Sequence, residues 1–165
     1  MAIMSYGLKT LKFGECTGKH TMPAAAKLAP RFETYRNSCE FTEDDPDIKE
    51  EYTDQRDSPV LVIPTKGKKT IKVSTLDYSA ATLQFLKGGT VTDKVWQEPA
   101  YFPQIFKAVE ITTLTGLKFA CPKAQIIAKF SAKFSKEGGK LIEVSIIPME
   151  AEQGKGSIVI TPPAA

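Results

Sequence analysis

A chain of 165 residues is long enough for one domain whose core folds without disulfide or metal staples. Apolar residues at 42% and charged residues at 25% exclude a largely disordered chain, and a net charge of +3 is too small to argue for a nucleic-acid partner by itself. No stretch nears the roughly 18 uninterrupted apolar residues of a membrane helix. Three scattered cysteines, Cys16, Cys39 and Cys121, read as idle thiols of a reducing compartment rather than a disulfide framework. Met1 to Leu8 lacks the basic stretch and apolar core of a leader peptide, so synthesis in the cytoplasm is expected.

In chain order, Gly7 to Glu15 sets Leu8, Leu11 and Phe13 among lysines and predicts a first strand. Thr17 to Pro30 holds Gly18, Pro23 and Pro30 without a repeated apolar face, and predicts a loop with at most one helical turn. Phe32 to Thr42 reads as extended. Between Glu43 and Asp57 stand eight carboxylates against Lys49 and Arg56, with only Ile48 and Tyr52 as large apolar side chains. Such a segment buries little and should project as a loop or long hairpin. Val60 to Ile63, bounded by Pro59 and Pro64, follows as a β-prone strand.

A basic turn (Lys66, Lys68 and Lys69 around Gly67) leads into an alternating strand, Thr70 to Leu76. Asp77 and Ser79 offer capping oxygens to a helix through Ala80, Ala81, Leu83, Phe85 and Leu86, which Gly88-Gly89 ends. Thr90 to Trp96 predicts a strand, Gln97 to Pro103 a proline-flanked loop, and Ile105 to Thr113 another strand. Leu117 to Ala120, after the Gly116 turn, is a short hairpin partner ending before Pro122. The longest period of two follows: Ala124, Ile126, Ala128, Phe130, Ala132 and Phe134, alternating with a face that carries Lys129, Ser131 and Lys133. Gly138-Gly139 reads as a hairpin turn into Leu141 to Ile147, and Ser157 to Thr161 as a last strand before a frayed tail, 161–165. The sum is a single mainly β domain spanning 1–165. It is read as an antiparallel β-sandwich or barrel with one short flanking helix, about residues 79–87, and a projecting acidic arm, 43–57.

Chemistry-bearing patterns fail in turn. Nucleophile-elbow, Walker and dinucleotide glycine motifs are missing from the sequence. His20 is the sole histidine, and a Cys16/His20 nucleophile–base pair has no third member; an exposed loop histidine is the better reading. Nitrogen and sulfur ligands are too scattered for zinc, and the run Asp45 to Asp57 lacks the glycine and order of a calcium loop. No catalytic residue, metal site or cofactor is therefore expected.

One feature stands out. The segment Glu43 to Asp57 carries −6, which leaves +9 on the rest of the chain. An acidic arm on a basic body can meet the basic surface of the next copy, and head-to-tail contacts of that kind build rings or filaments. Alternatively, arm and lysine turn neutralise each other within one chain; charge alone leaves the two level. The residues at issue are Glu43, Asp44, Asp45, Asp47, Glu50, Glu51, Asp54 and Asp57, with Lys66, Lys68 and Lys69.

The order of features resembles the major tail (tail tube) proteins of long-tailed bacteriophages, over about Leu8 to Pro148. The matching features are the acidic arm, the strand Thr70 to Leu76, the helix Ser79 to Leu86 ending in Gly88-Gly89-Thr90, and the closing hairpin Ala124 to Ile147. The resemblance implies a β-sandwich with a flanking helix, assembled as hexameric rings that stack into a tube around a lumen. It further implies a tape-measure protein and a tail terminator as partners, DNA as transient cargo, no membrane partner, and a place in the virion tail. Related tubes serve contractile tails and type VI secretion. Family members have no catalytic residues. The arm would reach an adjacent subunit, and if the face bearing Lys129 and Lys133 lined the lumen, acidic residues would have to outweigh those lysines.

A second reading is a monomeric β-sandwich or barrel that binds a small apolar ligand or a carbohydrate. It rests on the aromatic side chains Tyr78, Trp96, Tyr101, Phe102 and Phe106; a closed apolar pocket that contains Trp96 would favour it, and Trp96 packed solidly in the core with no cavity would remove it.

Overall fold

The computed structural model describes residues 4–164. Residues 1–3, the head of the segment read against a leader peptide, and residue 165, the end of the tail read as frayed, lie outside it. The elements are β1 (Thr10–Glu15), β2 (Glu40–Glu43), β3 (Asp47–Thr53), β4 (Arg56–Thr65), β5 (Lys69–Thr75), α1 (Ala80–Lys87), β6 (Thr90–Thr92), β7 (Val95–Gln97), β8 (Ile105–Thr112), β9 (Lys118–Ser131), β10 (Leu141–Pro148) and β11 (Val159–Thr161). The chain is mainly β and antiparallel with a single α-helix, as its periodicities predict. A seven-stranded sheet runs β1-β8-β9-β10-β5-β2, with β11 beside the start of β9; β3-β4 and β6-β7 are separate two-stranded ribbons. The main sheet does not close into a barrel, because β1 and β2 stand at opposite ends of the pairing order.

Alternation explains which face is buried. Val144 pairs with Val73 on one side and Ala128 on the other, and Ile146 with Ile71 and Ile126, so inward residues form rows across three strands. Leu11 and Phe13 from β1, Val109 and Ile111 from β8, and Ile142 from β10 extend this core. Each large aliphatic or aromatic side chain buried there contributes about 1.5–3 kcal/mol against exposure. Leu83 and Leu86 of α1 close the core from above, and Phe85 meets Phe13 edge-on at 5.2 Å. The eight-residue helix is too short to persist alone. It leans on β9, where the small side chains of Ala124 and Ala128 admit it, and the Lys87 ammonium donates to the Ala128 carbonyl at 3.4 Å.

Several expectations need correction. The stretch read as Leu117 to Ala120, which is strand only from Lys118, and the period from Ala124 belong to one strand, β9, which passes through Pro122. Its register against β8 shifts between Lys107 and Val109: Lys107 faces Ala124 whereas Val109 faces Cys121. Such an irregularity tolerates proline and changes which parity points inward, so the alternation restarts at Ala124. The strand also ends at Ser131, because β10 begins only at Leu141 and nothing pairs with Ala132 or Phe134. Gly138-Gly139 therefore sits within a longer loop, and Phe134 is 88% exposed.

Thr90 to Trp96 is a hairpin, turned at Asp93 and Lys94, which both adopt left-handed conformations (φ 49° and 66°). Phe32 to Thr42 is extended only from Glu40. Before that, Phe32 packs on Phe13 at 5.4 Å and a turn runs through left-handed Asn37 (φ 57°).

Val60 to Ile63, finally, is strand as expected, but Pro59 and Pro64 do not bound it. The strand β4 runs through Pro59 and Pro64 and forms the second half of the arm. Two-stranded ribbons have edges free on both sides, which is where proline is tolerated.

Candidate assembly surface

The arm leaves the body between β2 and β5, whose paired ends Glu43 and Lys69 form its root. There the Asp44 amide donates to the Lys68 carbonyl at 2.9 Å. Gly67 crosses so tightly that a Cβ would collide with the Asp44 carbonyl, so no other residue fits without moving backbone. Beyond the root, β3 pairs with β4 from Asp47↔Thr65 to Thr53↔Arg56, with an irregularity at Tyr52. Every side chain of both strands is exposed.

The acidic residues predicted for contact fall along this ribbon. Glu43 closes β2, Asp44 and Asp45 connect to β3, Asp47, Glu50 and Glu51 lie in β3, Asp54 is in the turn, and Asp57 is in β4. Lys66 and Lys68 flank Gly67, and Lys69 opens β5. Among the described residues, neutralisation of the arm is confined to two ion pairs, Lys69–Glu43 at 3.6 Å and Lys49–Glu51 at 3.5 Å. Among the described residues, no ion pair joins Lys66 or Lys68 to a carboxylate, and none engages Asp44, Asp45, Asp47, Asp54 or Asp57. Glu50 accepts a hydrogen bond from the Tyr52 hydroxyl, which pushes that phenol above its ordinary pKa. Exposed pairs of this kind contribute little to stability, so the arm keeps most of its charge available.

Sequence reasoning missed the arm's apolar half. Val60, Leu61, Val62 and Ile63 are each between 45% and 51% exposed. Because neighbours along a strand point to opposite faces, the run makes both faces of the ribbon part apolar. Its signal was present in the sequence: an uninterrupted aliphatic run normally belongs to a strand buried on both faces.

The second missed feature is an apolar groove of about 530 Å³ beside the arm root. Phe41 of β2 and Phe119 of β9 meet at 6.1 Å, although β5 and β10 separate their strands in the sheet, so the sheet curls to bring them together. Ile71, Ile111 and Cys121 form the buried floor, and Phe41 and Leu114 stay exposed at the mouth. The groove's walls do not include Trp96. That ring instead packs edge-on against Phe130, and its indole N–H donates to the Gly88 carbonyl at 2.7 Å. Tyr78 stacks against the same Phe130 ring at 6.0 Å, whereas Phe106 lies under the Lys123 ammonium and Tyr101 and Phe102 are exposed.

Cys121 is buried, and Cys16 and Cys39 are half-buried. Burial pushes Cys121 up to about 12 and Cys39 upward, and burial is also the main cause of the rise at Cys16. His20 is half-buried rather than exposed, in a left-handed conformation (φ 54°) that closes a turn from Thr17. Among the described residues no hydrogen bond joins it to Cys16, and no group of three or more His, Cys, Asp or Glu side chains is placed to hold a metal ion. No described helix is long and apolar enough to cross a membrane.

On the sheet face turned away from the core, Lys129 is matched by Glu143, its direct partner across β9 and β10, at 2.8 Å. That ammonium holds the Glu143 carboxyl below its ordinary pKa. Compared with known proteins, the chain matches no family model and no curated protein.

Proposed function

We propose that the protein is a structural subunit that assembles with copies of itself, its acidic arm reaching the next copy. The observation that carries this reading is the ribbon β3–β4, exposed along its whole length and bearing four consecutive aliphatic side chains. A two-stranded ribbon is marginal in water on its own, and a contiguous exposed apolar run marks a surface with a partner. Uncompensated arm carboxylates and the free Lys66 and Lys68 support a partner of the same kind, since one molecule offers both signs.

The resemblance stated above extends the proposal to stacked hexameric rings that form a phage tail tube in the virion, filled by a tape-measure protein, closed by a terminator, and passed by DNA. The pairing of Lys129 with Glu143 fits a conduit that does not retain phosphate.

Light scattering over a concentration series, followed by negative-stain microscopy, tests the assembly. Rings or tubes that form with rising concentration are expected, together with their loss when residues 47–65 are replaced by a two-residue turn and the melting temperature of the body is kept.

A monomeric module for a small apolar ligand is the second reading, favoured by the groove at Phe41 and Phe119, whose volume lies in the range of ligand sites. A strict monomer that takes up an apolar fluorescent probe would support this reading against the first.

A further inference from the structure

The molecule carries two incomplete surfaces, and they are complementary. One is the arm. Glu51 is the direct partner of Leu61, and Lys49 of Ile63, so one face of the ribbon presents Leu61 and Ile63 beside the Glu51 carboxylate, which shares that face with Lys49 in an exposed ion pair at 3.5 Å. The other is the groove between Phe41 and Phe119, with an apolar floor and Arg36 on its wall. Arg36 has no carboxylate within ion-pair distance among the described residues, although its guanidinium suits a carboxylate partner. The arm does not fill the groove of its own chain, since all ten residues of β4 remain exposed.

We propose that the groove receives the arm of a second copy, with Leu61 and Ile63 seated against Phe41, Phe119 and Leu114, and Glu51 meeting Arg36. The proposal rests on the assembly reading above and specifies its contact. Charge and apolar chemistry select this occupant together: one face of the arm offers aliphatic side chains and a carboxylate held only by an exposed pair with Lys49, a partner that Arg36 can replace, and the groove offers apolar walls and an unpaired cation. The arm rises beside the groove, from the continuation of the same β2–β5 pair that supplies Phe41 and Ile71, two residues from Glu43 and Lys69. A copy that donates its arm therefore has its own groove free, and the contact is head-to-tail, repeating from copy to copy.

The full-length chain provides the test, through Arg36→Glu, Glu51→Arg, the double variant, and Leu61→Cys. The substituted sites lie on exposed ribbon or at the groove wall, so circular dichroism and melting should match the parent. Each single charge reversal should raise the concentration at half-assembly by roughly tenfold or more, and the double reversal should restore it to within about threefold. Under a mild oxidant, the thiol introduced by Leu61→Cys should form a disulfide with Cys39 of a second copy, identified by peptide mass mapping; Cys39 lines the groove.

Assembly that proceeds with unchanged midpoints, and with no disulfide-linked peptide joining the introduced thiol to Cys39, would overturn the groove contact while leaving self-assembly standing. A parent chain that stays monomeric at every concentration would overturn both. A tightly held small apolar molecule, found in the purified protein by native mass spectrometry and lost on Phe119→Ser, would assign the groove to that ligand instead.

Discussion

At the residue scale, the capping of α1 links local geometry to pH. The Ser79 amide donates to Asp77 at 2.9 Å, the Thr82 hydroxyl donates to the same carboxylate at 2.6 Å, and the Thr82 amide donates to the Ser79 hydroxyl. The Thr82 hydroxyl, then the Ser79 amide, hold the Asp77 carboxyl below its ordinary value. A lowered folded pKa contributes stability that is fully present above the unfolded value of about 3.9, and is lost as pH falls through the folded value. Urea midpoints measured from pH 6 downward should therefore separate parent from Asp77→Asn above about pH 4, with the gap narrowing in acid. A gap constant over the series would mean that the charge plays no part. In the core, Ile142 is fully buried between Thr75 and Phe130. Ile142→Ala should cost about 2–5 kcal/mol in chemical denaturation, because neighbouring strands cannot collapse into the space.

At the element scale, the two small ribbons differ in what holds them. The hairpin β6–β7 is anchored by Trp96, which reaches back to Gly88 at the end of α1. Its turn imposes left-handed backbone on Asp93 and Lys94, a conformation that favours glycine or asparagine. Lys94→Gly should stabilise the protein by up to about 1 kcal/mol, read as a higher melting temperature, because it removes side-chain crowding at that φ. The ribbon β3–β4 has no comparable anchor beyond its root. Its stability as a separate unit rests on strand pairing alone, and such ribbons open first in hydrogen exchange. Slow exchange in the arm amides at high protein concentration, and fast exchange at low concentration, would mark its docking on another copy.

At the scale of the whole molecule, the distribution of charge matters more than its sum. The net charge of +3 conceals −6 on the stretch Glu43 to Asp57. Sodium chloride shortens the range of such interactions to about 3 Å at 1 M. The concentration needed for assembly should therefore rise between about 0.05 and 1 M salt, read by light scattering. Indifference to salt would leave apolar contact as the sole source of affinity and remove Glu51 and Arg36 from the account.

Much of the fold was legible in the sequence because it follows from near neighbours. Alternation marked β5, β8 and β10, serine and glycine marked the ends of α1, and the density of carboxylates between Glu43 and Asp57 marked a segment that leaves the body. Each is a consequence of backbone geometry or of the cost of burying charge, acting within a few residues. What only the tertiary structure decided were the long-range pairings. The irregularity that joins Lys118 to Ala120 with the strand after Pro122 depends on β8 opposite it. Where β9 ends depends on where β10 begins. Val60 to Ile63 was legible as a strand from its β-prone run, but only its pairing with β3 placed it on the arm. The groove was invisible for the same reason: Phe41 and Phe119 are far apart in the chain, and it takes the curl of the sheet to make them neighbours.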